Sequence, residues 1–255
     1  MKVVILAGGL GTRISEETEL KPKPMIQIGD DPLIMHIMRN FAAQGFTEFI
    51  ICLGYKGYVI KEYFRNLKFH LSDLHFDQLG DEPKTNKTSG MDWEVALIDT
   101  GYATLTGGRI KRIRGLTKGE PFILTYGDGL ADIDLERLIN FHRESGRLAT
   151  VTAVIPPARF GALEIDQSGV VTSFNEKAET GGNWINGGFF VLEQEIFEFI
   201  EGDLTTWEKE PLSKLAEIGQ LSAYKHKGFW KPCDTLREKR ELEAMWREGA
   251  PWKNW

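Results

Sequence analysis

Five consecutive apolar positions, Val3-Val4-Ile5-Leu6-Ala7, end abruptly in glycines. A β-branched run without polar alternation is the pattern of a strand buried on both faces, and such strands are usually parallel. From Pro32 to Ala43 the apolar spacing becomes helical, and Pro32 suits the first turn. Phe46 to Leu53 predicts a second strand and Lys56 to Phe64 a short helix. Strand, helix, strand, helix in succession indicates βαβ units and an α/β fold. Further along, Pro121 to Tyr126 predicts another buried strand, which ends in the polar turn Gly127-Asp128-Gly129. An amphipathic helix follows from Asp134 to Glu144, with Asp134 placed to cap it. Ala149 to Ile155 predicts a strand. The period then shortens: Gly161 to Phe174 alternates across a turn at Gln167-Ser168-Gly169, as a hairpin does. Trp184 to Leu192 predicts a further strand. Glu193–Glu201, Thr206–Ile218 and the charge-paired stretch Thr235–Trp246 predict helices.

Two stretches fit no element. Ser15 to Pro24 is polar, ends in two prolines, and is expected to be a mobile loop. Gly80 to Asp92 is a polar insertion. The expectation is one domain over residues 1–255, with an insertion near 80–92 and a C-terminal helix and tail over 234–255. At 255 residues the chain can build its core without a staple of disulfides or metal.

The balance of 31 basic against 37 acidic side chains, a net charge of −6, argues against a general nucleic-acid or anionic-membrane binder. It leaves room for a local basic pocket. Cys52 and Cys233 have no disulfide or metal-ligand spacing, so a reduced, cytoplasmic setting is expected. The apolar run at Val3–Ala7 is too short for a signal-peptide core, and no stretch approaches the ~20 apolar residues of a membrane helix. His36, His70, His75, His142 and His226 show no ligand spacing and are expected to be structural or on the surface. Trp184, Trp207 and Trp230 are expected in the core, and the aromatic ending APWKNW is expected to dock on the body or on another subunit.

The chemistry concentrates after the first strand. In Gly8-Gly9-Leu10-Gly11-Thr12-Arg13 the glycines let backbone N–H groups approach an anion. No Gly-Lys-Ser/Thr follows, so this is not a Walker loop. Ile14 stands where a dinucleotide fingerprint would need its last glycine. Arg13, Lys21 and Lys23 flank the loop, and Pro22 and Pro24 stiffen the segment that carries two of them. Cations beside a glycine cradle suit the phosphate tail of a nucleotide. Asp128 stands between two glycines at the carboxyl end of a predicted parallel strand, where α/β proteins place ligands. Asp234 precedes a helix, so a capping role is open to it as well.

LAGGLGTR followed by Lys21-Pro22-Lys23-Pro24-Met25 resembles the signature of the sugar-1-phosphate nucleotidylyltransferases. The likeness runs over the whole chain. It is strongest to the branch that transfers cytidylyl groups, through SEETELKPKPM, GYKGYVIKEYF, TGGR at 106–109, TYGDG at 125–129, FGAL at 160–163, NGGFFVL at 186–192, TTWEKEPL at 205–212 and the terminal APWKNW. The resemblance implies a single Rossmann-like three-layer domain with a mixed, mainly parallel sheet. It implies CTP and glucose 1-phosphate as substrates, giving CDP-glucose and pyrophosphate with the help of Mg²⁺. Other nucleotides or sugars, or a silent nucleotide-sugar-binding subunit, remain open from the residues alone. By the same likeness, the nucleotide would lie against Leu6, Ala7, Gly8, Gly9, Leu10, Gly11, Thr12 and Arg13, with Lys23, Thr104, Arg109, Gly127 and Asp128 around it. Gly161, Glu176, Lys177 and Asn186 would face the sugar and its phosphate. Asp128 and Asp234 would hold the metal, and with Arg13 and Lys23 they form the expected catalytic group. The branch further implies a homo-oligomer, hexameric, that supplies CDP-sugars for bacterial surface polysaccharide.

Overall fold

A computed structural model describes residues 1–76, 84–85, 91–156, 162–165, 168–175 and 184–255. Seven strands form the central sheet: β1 (Val3–Ala7), β2 (Glu48–Leu53), β3 (Glu94–Asp99), β4 (Phe122–Tyr126), β5 (Ala149–Val154), β6 (Ile185–Leu192) and β7 (Leu221–Lys225). They lie in the order β7-β5-β6-β4-β1-β2-β3. All neighbouring pairs are parallel except those made by β6, which runs antiparallel to both β5 and β4. The sheet is therefore mixed and mainly parallel. From β1 the chain builds outward through β2 and β3, then returns to place β4 on the other side of β1. That reversal opens a crevice at the carboxyl ends of β1 and β4, where open α/β sheets bind ligands.

All five residues of β1 are buried, and they divide by parity. Val3, Ile5 and Ala7 join the core under α1 (Leu33–Ala43), α4 (Leu135–Ser145) and α6 (Leu236–Glu248). Val4 and Leu6 face the opposite core, with Ile110 of α3 (Thr106–Arg112) and Leu215 of α5 (Glu210–Glu217). Alternation along one strand thus feeds two cores, giving helix, sheet and helix layers. The remaining long helix, α2 (Gly57–His70), adds Ile60 to the first core. Among the described residues, no helix is long and apolar enough to cross a membrane.

Most expected elements are present with shifted ends. Asp134 caps α4 by accepting the Arg137 N–H at 3.0 Å, as expected. The short helix expected over 56–64 continues to His70. The helix expected from Thr206 begins at Glu210, with Pro211 in its first turn, and the one expected over 193–201 is a 3-10 helix at Gln194–Phe199. The hairpin pairs Ala162–Ile165 with Val171–Asn175. The segment 15–24 is not the featureless mobile loop expected. It contains helical turns at Ser15–Thr18 and Lys23–Met25, and the Tyr55 hydroxyl donates to the Thr18 carbonyl at 3.0 Å. Lys239 of α6 grips Glu17 at 2.6 Å. The strands β3 and β7 were not expected: both are partly buried edge strands, β3 with only the short apolar run Val95 to Ile98 and β7 with no clean alternation.

Trp207 is fully buried, as expected, whereas Trp184 is exposed beneath Lys225 and Trp230 is only half-buried. The terminal aromatics do dock. Trp252 is 1% exposed, stacks on Phe229, and its indole N–H donates to His36 Nδ1 at 3.3 Å. His36 Nε2 must then carry the proton given to the Ile28 carbonyl at 2.8 Å. Asn40 completes the clasp by donating to the Trp252 carbonyl at 2.9 Å. Burial pulls the His36 pKa below its ordinary value, so the ring stays neutral in this apolar nest. Truncating a buried tryptophan removes a large contact area and leaves a cavity, so Trp252→Ala should cost about 3–5 kcal/mol. Urea unfolding would show this as a lower midpoint at unchanged slope. A loss under ~1 kcal/mol, no more than an ordinary surface substitution, would mean that the tail contributes little to the fold.

Candidate active site

Two segments about a hundred residues apart are stitched together below the crevice. Trp230–Pro232 pairs antiparallel with Gly129–Ala131, and the Cys233 N–H donates to the Asp128 carbonyl at 2.9 Å. The ribbon leaves Asp128 and Asp234 just beyond its end. Thr235, not Asp234, caps α6, accepting the Glu238 N–H at 3.2 Å, while Glu238 in turn accepts the Asp234 N–H at 2.8 Å. The capping role open to Asp234 is thus filled by its neighbour, and its carboxylate is left for the crevice.

Lys23 joins the two carboxylates. Its ammonium lies 2.6 Å from Asp128 Oδ2 and also contacts Asp234 Oδ1. Arg13 reaches Asp234 Oδ2 at 2.7 Å. Pro24 seats Lys23 there by packing on Gly127, where a Cβ would stand 2.8 Å from the proline ring. Burial pulls the Lys23 pKa down, but the charges and hydrogen bonds of Asp128 and Asp234 outweigh it, so the net shift is upward and the lysine stays charged. Two carboxylates that share one small cation are spaced to share another. They offer a hard divalent ion oxygen donors, and among the described residues no His, Cys or third carboxylate joins them. Such a half-shell suits Mg²⁺, which keeps waters and takes its remaining oxygens from phosphates. The residues present fit the ion.

A cleft of about 350 Å³ opens beside this cluster. Leu6, Ala7, Gly8, Gly9, Gly11, Thr12, Arg13, Lys23, Thr104, Arg109, Gly127 and Asp128 all line it. Leu10 does not, and its side chain is exposed. Among the described residues, no hydrogen bond uses the N–H groups of Gly9, Leu10 or Gly11. Lys21, expected beside the phosphates, instead pairs with Glu17 at 3.5 Å and lines no part of the cleft. A second cleft, of about 360 Å³, lies on the other side of Asp128 and contains Arg13, Asp234 and Asn186. The β5–β6 register shifts beside Asn186, and the side chain of Asn186 folds back to accept the Gly188 N–H at 2.8 Å. Gly161, Glu176 and Lys177 lie outside the described residues.

Arg109 lines the cleft, but its terminal nitrogens are committed. They donate to the carbonyls of Leu53 (2.9 Å), Gly101 (2.9 Å) and Gly8 (3.0 Å) and to the Thr100 hydroxyl (2.8 Å). Arg109 is 4% exposed, and burial lowers its pKa. It packs so closely behind Gly8 that a Cβ there would fall 2.2 Å from a guanidinium nitrogen. Arg109 is thus a strut between the ends of β1, β2 and β3. Motif reading did not single out Tyr126, Thr106 or Glu208. Tyr126 lies between the clefts and lines both, Thr106 lines the first and Glu208 the second. Tyr126 and Glu208 are 82 positions apart in sequence, so no local pattern connects them.

Comparison with known proteins identifies the family. Residues 2–231 match the family model described as nucleotidyl transferase. The chain is 53% identical to a glucose-1-phosphate cytidylyltransferase from Salmonella typhi, and 42% identical to a probable glucose-1-phosphate cytidylyltransferase from Bacillus subtilis, in each case over 100% of both chains. Among solved structures, HddC from Yersinia pseudotuberculosis superposes with a TM-score of 0.70 at 26% identity, covering 96% of this chain and 99% of that one. With a family model matched over most of its length and full-length relatives of that kind, the chain belongs to the nucleotidyl transferase family.

Proposed function

We propose that the protein transfers a cytidylyl group from CTP to α-D-glucose 1-phosphate, forming CDP-glucose and pyrophosphate. The observation that carries this reading is the charge cluster of Lys23, Arg13, Asp128 and Asp234, standing where two clefts meet. One cleft has a glycine loop for a nucleotide, and the other takes the second substrate. The relatives' names supply the choice of CTP and glucose 1-phosphate.

A phosphate oxygen of the sugar phosphate attacks the α-phosphorus of CTP. The new P–O bond forms as the bond to the β-phosphate oxygen breaks, and pyrophosphate leaves with that electron pair. No general base is needed, because a phosphate monoester with a second pKa of ~6 is already largely ionised at neutral pH. The chain's task is to place the reactants and neutralise charge. The N–H groups of Gly9 and Gly11, to which no described residue is hydrogen-bonded, are assigned to phosphate oxygens. Arg13 and Lys23 hold phosphate oxygens at the junction, and Asn186 holds the sugar phosphate side of the second cleft. Gly161, Glu176 and Lys177 are assigned to the sugar and its phosphate by family likeness. A magnesium ion held by Asp128 and Asp234 would, when bound, offset the charge that builds on the α-phosphate and the departing pyrophosphate. Arg109 contributes through the loop it braces.

Pyrophosphate release measured with four nucleoside triphosphates, each crossed with glucose, mannose and N-acetylglucosamine 1-phosphates, should be fastest with CTP and glucose 1-phosphate. Release with none of the pairs would favour a silent binding subunit. Asp128→Asn should cut kcat/KM by ~10² or more and weaken Mn²⁺ binding seen by electron paramagnetic resonance, with little change in melting temperature. An active Asn variant at limiting metal would remove Asp128 from the metal site. Arg109→Lys keeps the charge but loses the planar fork. It should raise KM for CTP and cost about 2 kcal/mol of stability, because buried carbonyls lose charged donors. Unchanged melting together with a raised KM would mean that Arg109 meets the nucleotide directly.

A further inference from the structure

The wall of the second cleft carries a carboxylate with no assigned task. Glu208 is exposed at the rim, yet both of its oxygens are held. Tyr126 donates its phenol proton to Oε1, and the Thr106 hydroxyl donates to Oε2 at 2.6 Å. The direction of each bond is settled by what surrounds it. Thr106 Oγ1 already accepts the Trp207 N–H at 2.9 Å, so its own proton goes to Glu208. A carboxylate oxygen can only accept, so the Tyr126 hydroxyl is the donor to Glu208. A chain of polar groups therefore runs from Tyr126 through Glu208 to Thr106, drawn from β4, the segment before α5 and the start of α3.

This arrangement is unusual for a surface glutamate. Among the described residues Glu208 forms no ion pair. Its two neighbours are neutral hydroxyls on separate elements, and they fix its plane. A carboxylate oxygen accepts two hydrogen bonds, so each oxygen keeps an acceptor position beyond the one used. A fixed carboxylate with spare acceptors and no cation suits hydroxyl donors better than phosphate, which its charge repels. The second cleft is also the side away from the glycine loop, with the phosphate-holding cluster between. We infer that Glu208, held in place by Tyr126 and Thr106, accepts a hydrogen bond from a ring hydroxyl of the sugar 1-phosphate and so helps to select the sugar. The inference rests on the nucleotidyl-transfer reading and adds to it a residue that reads the sugar.

The test is a panel of the four monodeoxy glucose 1-phosphates (2-, 3-, 4- and 6-deoxy), assayed with wild type, E208A, E208Q and Y126F. Where a site is built around a substrate hydroxyl, the analogue that lacks it is strongly rejected. The wild type should reject one analogue by more than ~10-fold relative to glucose 1-phosphate. E208A should raise KM for glucose 1-phosphate about tenfold, leave KM for CTP within about twofold, and narrow the penalty on that one analogue to under about threefold. Y126F keeps the ring and releases one anchor, so it should shift in the same direction by less. E208Q preserves shape and serves should E208A fail to fold, with melting temperatures measured for all. Equal losses on every analogue, or a rise in KM for CTP matching that for the sugar phosphate, would make Glu208 a structural clasp and overturn the inference. A wild type that releases no pyrophosphate with any substrate pair would overturn the function itself and this inference with it. A working wild type with uniform analogue losses overturns the inference alone.

Discussion

The ammonium of Lys23, caught between Asp128 and Asp234, is the contact on which the site depends. Two carboxylates this close repel each other, and a cation between them offsets that repulsion. Lys23 supplies that cation from a segment between two prolines, seated by Pro24 against Gly127. Arg13 adds a second positive charge on the outer oxygen of Asp234. The four charges cancel, and the cluster is partly sheltered, so solvent screens it less than an exposed pair. In the proposed reaction the same charges would meet the phosphates: a triphosphate would compete for Lys23 and Arg13, and the two carboxylates would hold a divalent ion.

The sheet exists in this form to hold that cluster. Parallel pairing of β1 with β2 and β4 puts the ends of three strands on one edge. The reversal between β1 and β4 separates the loops there and makes a crevice of them. The Trp230–Pro232 ribbon then carries Asp234 to Asp128, and α6 and the docked tail hold the ribbon's far end. Arg109 does for the loops what the ribbon does for the aspartates. Its planar fork collects carbonyls from the ends of β1, β2 and the turn after β3, and a lysine could not match that geometry. A net charge of −6 is no obstacle to anionic substrates, since the cations are gathered at one point and two of the acids there suit a metal.

Much of this was legible in the chain. The unbroken apolar run at residues 3–7 means a strand covered on both faces, and the two cores that share β1 bear that out. Asp134 reads as a cap and is one. Asp128, between glycines at a strand end, reads as a ligand residue, and the structure puts it at the crevice. What failed to show were features that depend on distant partners. Lys21 and Lys23 look alike in sequence, two positions apart, but one turns to Glu17 and the other into the cluster. Asp234 and Thr235 could each cap α6, and only the fold shows that Thr235 takes the role. Family likeness places Arg109 beside the nucleotide, yet its nitrogens are spent on carbonyls from three other segments. The edge strands β3 and β7 were invisible because half-covered strands carry no strong period.

The sequence by itself determined the class of fold, the glycine loop with its cations and the identity of the acidic pair, because these follow from local periods, from residue chemistry and from a family pattern written in order along the chain. Only the tertiary structure decided which cations meet the acids, that Arg109 braces the loop, and that Tyr126, Thr106 and Glu208 form one polar chain on the second cleft. The reason is physical. A hydrogen bond or ion pair is set by distances of about 3 Å, and residues 82 or 105 positions apart reach that range only after packing has chosen where each strand ends.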